Sequence, residues 1–180
     1  MANLFERMVR AAKLDPTLYE EVEADASATG QALTVVVLSS VAAGLGAGRE
    51  GGALGLVAGL LAALLGWVVW AFLTYLIGTK LLAGPKTRAN LGELLRTTGF
   101  ASTPGVVRLI GAFPGLATIS HVVAAIWMLV AFVVAVRQAL DYESTGRAVL
   151  VCVIGFAVYL GVAAALGAIL IAATGGLPNP

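Results

Sequence analysis

Charge is scarce in this chain. Only 12% of its 180 residues are Asp, Glu, Lys or Arg, against about a quarter in an ordinary globular domain. Histidine and cysteine occur once each. Cys152 therefore has no partner for an intramolecular disulfide, and His121 has no second imidazole with which to hold a metal. A net charge of +1 gives no electrostatic footprint for nucleic acid. Ser39 and Ser40 have no histidine or lysine at a spacing that would activate them. Neither catalysis nor a cofactor is expected.

What fills the chain instead is apolar. Hydrophobic residues make up 59%, and the mean hydropathy is +0.95. Of the 21 charged residues, 9 fall in the first 30 positions. Four uncharged tracts lie beyond them, at 26–48, 51–79, 109–136 and 148–180. Each exceeds the roughly 20 residues that a bilayer-spanning helix needs. A soluble enzyme and a disordered tail are excluded, and the reading is an all-α integral membrane bundle.

Residues 3–14 place Leu4, Phe5, Met8, Ala11 and Ala12 on one side of a helix and Glu6, Arg7, Arg10 and Lys13 on the other. This predicts a short amphipathic helix on the membrane interface. The basic residues lead into Glu20, Glu21, Glu23 and Asp25 rather than an apolar core with a cleavage site, so no removable signal peptide is expected. Asp15 before Pro16 is a helix start, a capping carboxylate followed by a proline at the first helical position. The second apolar tract, too short for two spans, reads as one long helix over 52–82.

The segment 97–113 is short, holds Arg108 and is interrupted by Pro104, which removes an N–H and disfavours helix at Thr103. It is either a broken crossing or a re-entrant segment. Lysine and arginine gather in cytoplasmic loops. If the segment crosses and the N-terminus is cytoplasmic, Arg7, Arg10, Lys13, Lys80, Lys86, Arg88, Arg96, Arg137 and Arg147 lie inside, and only Arg49 and Arg108 lie outside. If it does not cross, the split worsens to eight against three. The expectation is five spans, the third short or broken at Pro104, with the C-terminus outside. Residues 1–30 then form a cytoplasmic segment, 31–174 the transmembrane domain and 175–180 a short tail. The Arg-rich, Ala- and Gly-rich composition fits a prokaryotic plasma membrane.

The order of elements resembles the YIP (Ypt/Rab-interacting protein) family of five-span membrane proteins in its short prokaryotic form. The likeness rests on Leu14-Asp15-Pro16 before the first span, and on Gly84-Pro85 after the second. It continues in Gly92-Glu93-Leu94-Leu95-Arg96 with Gly99-Phe100-Ala101 and Pro104, and ends in Trp127 with the stretch from Ala135 to Tyr142. It covers nearly the whole chain. The resemblance implies a cytoplasmic N-terminus, five spans and a role in organising membranes or binding partners; eukaryotic members bind Rab-type GTPases. Two departures argue against Rab binding here. The N-terminal region is only about 30 residues, and Thr98-Gly99-Phe100 replaces the tyrosine-glycine-tyrosine pattern typical of those members.

Several residues invite a functional reading beside a structural one. Arg108 and His121 fall on either side of the Pro114-Gly115 turn and can line an outward polar pocket; alternatively, Arg108 snorkels to the interface and His121 bonds a helix backbone. The pocket would suit a small permease or a lipid or solute carrier. Glu93 with Arg96, and Arg137 with Asp141, are spaced for same-helix pairs, or else form a cytoplasmic cap joining the segment after span two to the end of span four. The acidic residues Glu20 to Asp25 lack the ligand spacing of a calcium loop and read as a solvated face. Gly51, Gly55, Gly59 and Gly161 are small residues suited to close helix packing, within the chain or between copies. Trp67, Trp70 and Trp127 read as packing residues whose indole N–H groups need partners such as Ser39, Ser40, Thr74 or Ser120. The partners expected are the lipid bilayer and either another membrane protein or a second copy of the chain. For topology, a C-terminal reporter active only in the cytoplasm is expected to stay silent, and strong activity would contradict the five-span arrangement.

Overall fold

Leu14, Asp15 and Pro16 fix the first corner of the chain. Leu14 takes a left-handed φ of 61°, a conformation that costs a branched residue about 1 kcal/mol or more, and its side chain packs on the core in return. The Asp15 carboxylate accepts the Thr17 amide, and Pro16 occupies the first turn. The result is a hairpin of two short helices, α1 (Leu4–Ala12) and α2 (Pro16–Ala24). These belong to a computed structural model that describes residues 3–46 and 52–173. Further along come α3 (Thr29–Gly46), α4 (Gly52–Leu76), α5 (Leu91–Ala101), α6 (Ala117–Ala139) and α7 (Thr145–Ala173). No strand occurs among the described residues.

Four segments are long and apolar enough to cross a membrane: Ala26–Gly46, Gly52–Leu81, Ala117–Ala139 and Thr145–Ile169. The second is one continuous helix, as its length requires, and ends in a π-helical turn over Ile77–Leu81. The segment around Pro104 is not a single helix. α5 stops at Ala101, and a 3₁₀ helix continues over Thr103–Ala112. Ten residues is long for a 3₁₀ helix, which rarely exceeds 3–4 on its own, and two neighbours hold it in place. Along α3, an added Cβ on Gly99 would meet Ala32, one on Gly105 would meet Ser39, and one on Gly46 would strike the Arg108 carbonyl. The α5 and 3₁₀ segment therefore runs beside α3 in the same direction. α6 returns on the other side, with Met128 against Gly105 and Ser120 against Gly111.

Packing is concentrated in one half of the bundle. One cluster joins Ala11, Leu18, Tyr19, Val22, Ala28, Ala32, Val35, Phe100, Ala101, Ala131 and Ala135, all fully buried. A second joins Ala71, Ile77 and Leu94 to Val136, Leu140, Tyr142 and the start of α7. The opposite half of α4 is nearly bare, with Leu54, Val57, Leu61 and Leu65 exposed, as are Ile119 and Ile126 on α6. Exposed apolar surface of this extent suits lipid. The chain is an integral membrane protein.

The hairpin is not an isolated interfacial helix. Trp127 donates from Nε1 to the Ala12 carbonyl at 2.8 Å, Ala131 and Ala135 pack with Leu18, Tyr19 and Val22, and Gln138 donates to Glu20 at 2.9 Å. It thus lies along about 17 Å of α6, at 1.5 Å per residue. Its faces also differ from the amphipathic expectation. Phe5, on the apolar side, is 71% exposed, whereas Arg7, on the polar side, is only 4% exposed, because the partners for its charge come from α2.

The glycines that bring helices together are not the expected ones. Nothing lies within 4 Å of an added Cβ on Gly55, Gly59 or Gly161, so these do not pack helices within the chain, and Gly51 lies outside the described residues. Close approach falls instead on Gly46, Gly99, Gly105 and Gly111. Gly46→Ala is expected to destabilise the protein in detergent by about 1–3 kcal/mol through overpacking against backbone, while Gly59→Ala leaves thermal stability unchanged or raises it slightly. Equal effects at the two positions would contradict this packing.

Candidate functional site

The charged end of the bundle is built on two arginines. Arg7 projects from α1 into the crook of α2 and α3. It donates to Glu21 at 3.0 Å, Asp25 at 2.9 Å and the Gln31 side chain at 2.9 Å. Burial opposes its charge, but the hydrogen bonds it donates to Asp25 and Glu21 outweigh that and hold its pKa above the ordinary value. Arg10, one turn on, bonds Asp15 at 2.8 Å and Glu21 at 2.6 Å. Arg10 is the leading reason that Asp15 and Glu21 stay below the usual carboxylate range. Asp25 is lowered first by Ser27, which it caps, and then by Arg7. Glu21 and Asp25 of the acidic stretch, with Asp15, therefore form an ion-pair network, while Glu20 stays exposed.

Arg96 does the second job. It is 8% exposed and donates from Nε to the Val22 carbonyl at 2.8 Å and from Nη2 to the Glu23 carbonyl. Both carbonyls belong to the last turn of α2, where helix carbonyls lack intrahelical donors and carry partial negative charge. Arg96 therefore ties α2 to α5 by closing an open helix end. The expected pairing with Glu93 does not form. Glu93 instead accepts the Asn90 amide at 2.8 Å, while Asn90 accepts the Glu93 amide at 3.1 Å. This reciprocal cap starts α5, and the Asn-x-x-Glu spacing was readable in the sequence.

The other two residues of the expected cap also differ from the same-helix pairing. Arg137 donates to the Tyr142 carbonyl at 3.3 Å. Asp141 adopts a φ of 50° just beyond α6. Tyr142 reaches back from this corner, its hydroxyl lying 3.0 Å from the Gly78 carbonyl and 2.8 Å from that of Leu82. It thereby supplies a donor where the π-helical turn of α4 ends.

A residue that sequence reasoning left among the solvated acids proves central here. Glu23 is half-buried, and its carboxyl is pushed up to about 7, first by burial and then by the charges of Glu93 and Asp141, with Arg96 acting in the opposite sense. No side-chain bond joins Glu93, Arg96 and Asp141 to one another among the described residues. Arg137 is bonded elsewhere.

At the other end, the Arg108 backbone and the His121 ring both flank Gly46. His121 Nδ1 lies 2.9 Å from the Ala117 carbonyl of its own helix. Arg108 has a buried Nε with no hydrogen-bond partner among the described residues. Of the tryptophans, Trp67 donates to the Leu95 carbonyl and the Thr98 hydroxyl, and Trp127 to Ala12. Trp70 Nε1 is unpaired among the described residues. None uses the hydroxyl partners expected of it; the acceptors of Trp67 lie on α5 and that of Trp127 on α1. No group of three or more His, Cys, Asp or Glu able to hold a metal occurs among the described residues.

A family model, the Yip1 domain, matches residues 15–166. The chain belongs to the Yip1 domain family. The match begins at Asp15, the residue that caps α2, and runs through α5, the 3₁₀ helix and α6 into α7. All three arginine-bonded acids, Asp15, Glu21 and Asp25, together with Arg96 and the whole Tyr142 corner, therefore lie within the Yip1 domain. Arg7 and Arg10 precede it. No curated protein and no solved structure matches the chain.

Proposed function

We propose that this Yip1-domain protein is a non-enzymatic five-span scaffold that organises membrane or binds membrane partners through its charged end, with that end and the N-terminus in the cytoplasm. The observation that carries the reading is the uneven distribution of order. The hydrogen-bonded side chains of the hairpin, α5 and the Tyr142 corner form a fixed polar platform at one end. The α4 and α6 surfaces toward the other end are bare and apolar. A platform held by side-chain bonds between several elements presents a constant surface, which suits recognition of a partner.

The lysine and arginine balance supports five crossings with the platform inside. So does the length of the α5 and 3₁₀ segment. Eleven α-helical and 10 3₁₀ residues extend about 36 Å, at 1.5 and 2.0 Å per residue, against a hydrocarbon core of about 30 Å. A carrier using Arg108 and His121 is less well supported, since the His121 ring faces a carbonyl of its own helix. Beyond the bilayer, the partner in this reading is another membrane protein or a second copy of the chain.

Photo-crosslinking residues introduced at Glu93 and Arg137 in native membranes are expected to capture protein adducts. The same probe at Ile126, on the bare face of α6, is expected to yield lipid adducts only. Protein adducts at Ile126 with none at Glu93 or Arg137 would overturn the assignment of the platform as the binding face.

A further inference from the structure

The α1–α2 hairpin reaches deeper along the spans than its charges would suggest. Trp127, whose indole bonds the Ala12 carbonyl, lies about 15 Å from the start of α6 and about 18 Å from its end, at 1.5 Å per residue. The tip of the hairpin, from Lys13 to Pro16, is therefore level with the middle of α6. From there α2 climbs back to the charged end, where Gln138 holds Glu20 and Arg96 holds the Val22 and Glu23 carbonyls. The bundle cannot simply stand clear of the bilayer down to the level of the tip. That would leave α6 only about half of the roughly 20 residues a crossing requires.

The apolar surface open to lipid has two different heights. On α7 the exposed large apolar side chains run from Val149 to Ile169, about 30 Å. On α6 they run only from Ile119 to Val130, about 17 Å, and stop where the hairpin covers the helix. Apart from Phe5, Pro16 and Ala24, the residues that the hairpin exposes are polar: Asn3, Glu6, Lys13, Thr17 and Glu20. Arg7 and Arg10 are neutralised by Asp15, Glu21 and Asp25, as charges at this depth require. Glu6 and Lys13 form no ion pair among the described residues.

We propose that the hairpin stands within the depth of the inner leaflet and that phospholipid headgroups follow it down, so that the bilayer is thinner beside the hairpin than along α7. Acyl chains against unpaired charges are costly, whereas thinning a bilayer to match a short apolar surface costs little per ångström. The headgroup layer therefore bends to the hairpin. Its exposed side carries charges of both signs, which suits a zwitterionic headgroup. Which leaflet is depressed rests on the reading that the charged end is cytoplasmic; the depression itself does not.

The fold supplies a control at the same level. The Trp70 ring packs on Phe132 of α6, with centroids 5.8 Å apart, and on Gly155 of α7. Five residues from each, away from the charged end, Trp127 and Leu160 are level, and Leu160 is exposed. The test places a bimane fluorophore on Lys13→Cys or Leu160→Cys, in a Cys152→Ala background, with the full chain in phosphatidylcholine vesicles. Quenching by a lipid nitroxide at the headgroup is compared with quenching by one midway down the acyl chain. The ratio of headgroup to chain quenching is expected to be several-fold higher at Lys13→Cys than at Leu160→Cys. Equal ratios at the two sites, stronger quenching of Lys13→Cys by the chain nitroxide, or its quenching by aqueous iodide and by neither lipid would each overturn the proposal. Thr17→Cys, exposed beside the tip, gives the same reading if Lys13→Cys does not assemble. Both nitroxides occupy both leaflets, so an inverted topology would leave these ratios unchanged and show only in which side an impermeant reagent reaches.

Discussion

The fold depends on a guanidinium placed on the end of a helix. Arg96 reaches 74 residues back along the chain to the Val22 carbonyl, and in doing so fixes α5 against α2 in both position and rotation. A buried cation without a carboxylate is normally expensive. Here two helix-terminal carbonyls provide hydrogen bonds and the negative end of the α2 dipole. The same contact sets the course of the next two turns. Three residues later Gly99 packs on Ala32, Phe100 enters the core, and the helix gives way to the 3₁₀ segment at Thr103. The pieces of sequence that carry the family likeness, Gly92 to Arg96 and Gly99 to Ala101 with Pro104, are thus consecutive parts of one joint.

From that joint the molecule divides into two unlike halves. Around Arg96 and Tyr142, open carbonyls at the ends of α2 and α4 are closed by side chains from other elements. Away from it, much of α4 and the outward face of α6 are bare and apolar. An arrangement of this kind localises order: the polar end is a defined surface, while the apolar end is free to adapt to the bilayer. The proposed binding face sits where side chains from several elements are bonded to one another, so a change of one charge there has a defined neighbour on which to act.

Much of this was legible in the sequence, and the rest was hidden for a common reason. Uncharged tracts, the Asp15-Pro16 start and the Pro104 interruption are local signals, and the helices and the break at Thr103 arise from them. Arg7 looked solvent-facing because its helix, read alone, has an apolar side; its partners Glu21, Asp25 and Gln31 lie 14 to 24 residues away. Arg96 looked like the partner of Glu93 by spacing, yet Glu93 was already committed to Asn90. The glycine stripe at Gly55 and Gly59 has the spacing of a packing face with no neighbour against it, whereas Gly46 and Gly105 show no stripe and bear the closest contacts. Periodicity reveals what a helix offers, and only the tertiary arrangement decides which offers are taken. Glu23 was read as one of four equivalent acids for the same reason.

The central claim is that Arg96 docks the hairpin onto the bundle, and thiol accessibility tests it directly. In a Cys152→Ala background, cysteine introduced at Val22, which is fully buried, is compared with cysteine at Ala24, an exposed position of the same helix. Labelling by a membrane-impermeant maleimide from the side that reaches Ala24→Cys should be much slower at Val22→Cys. Adding Arg96→Ala removes hydrogen bonds worth about 1–3 kcal/mol and should raise the Val22→Cys rate about tenfold. Equal rates at the two positions, or a Val22→Cys rate indifferent to Arg96→Ala, would contradict it.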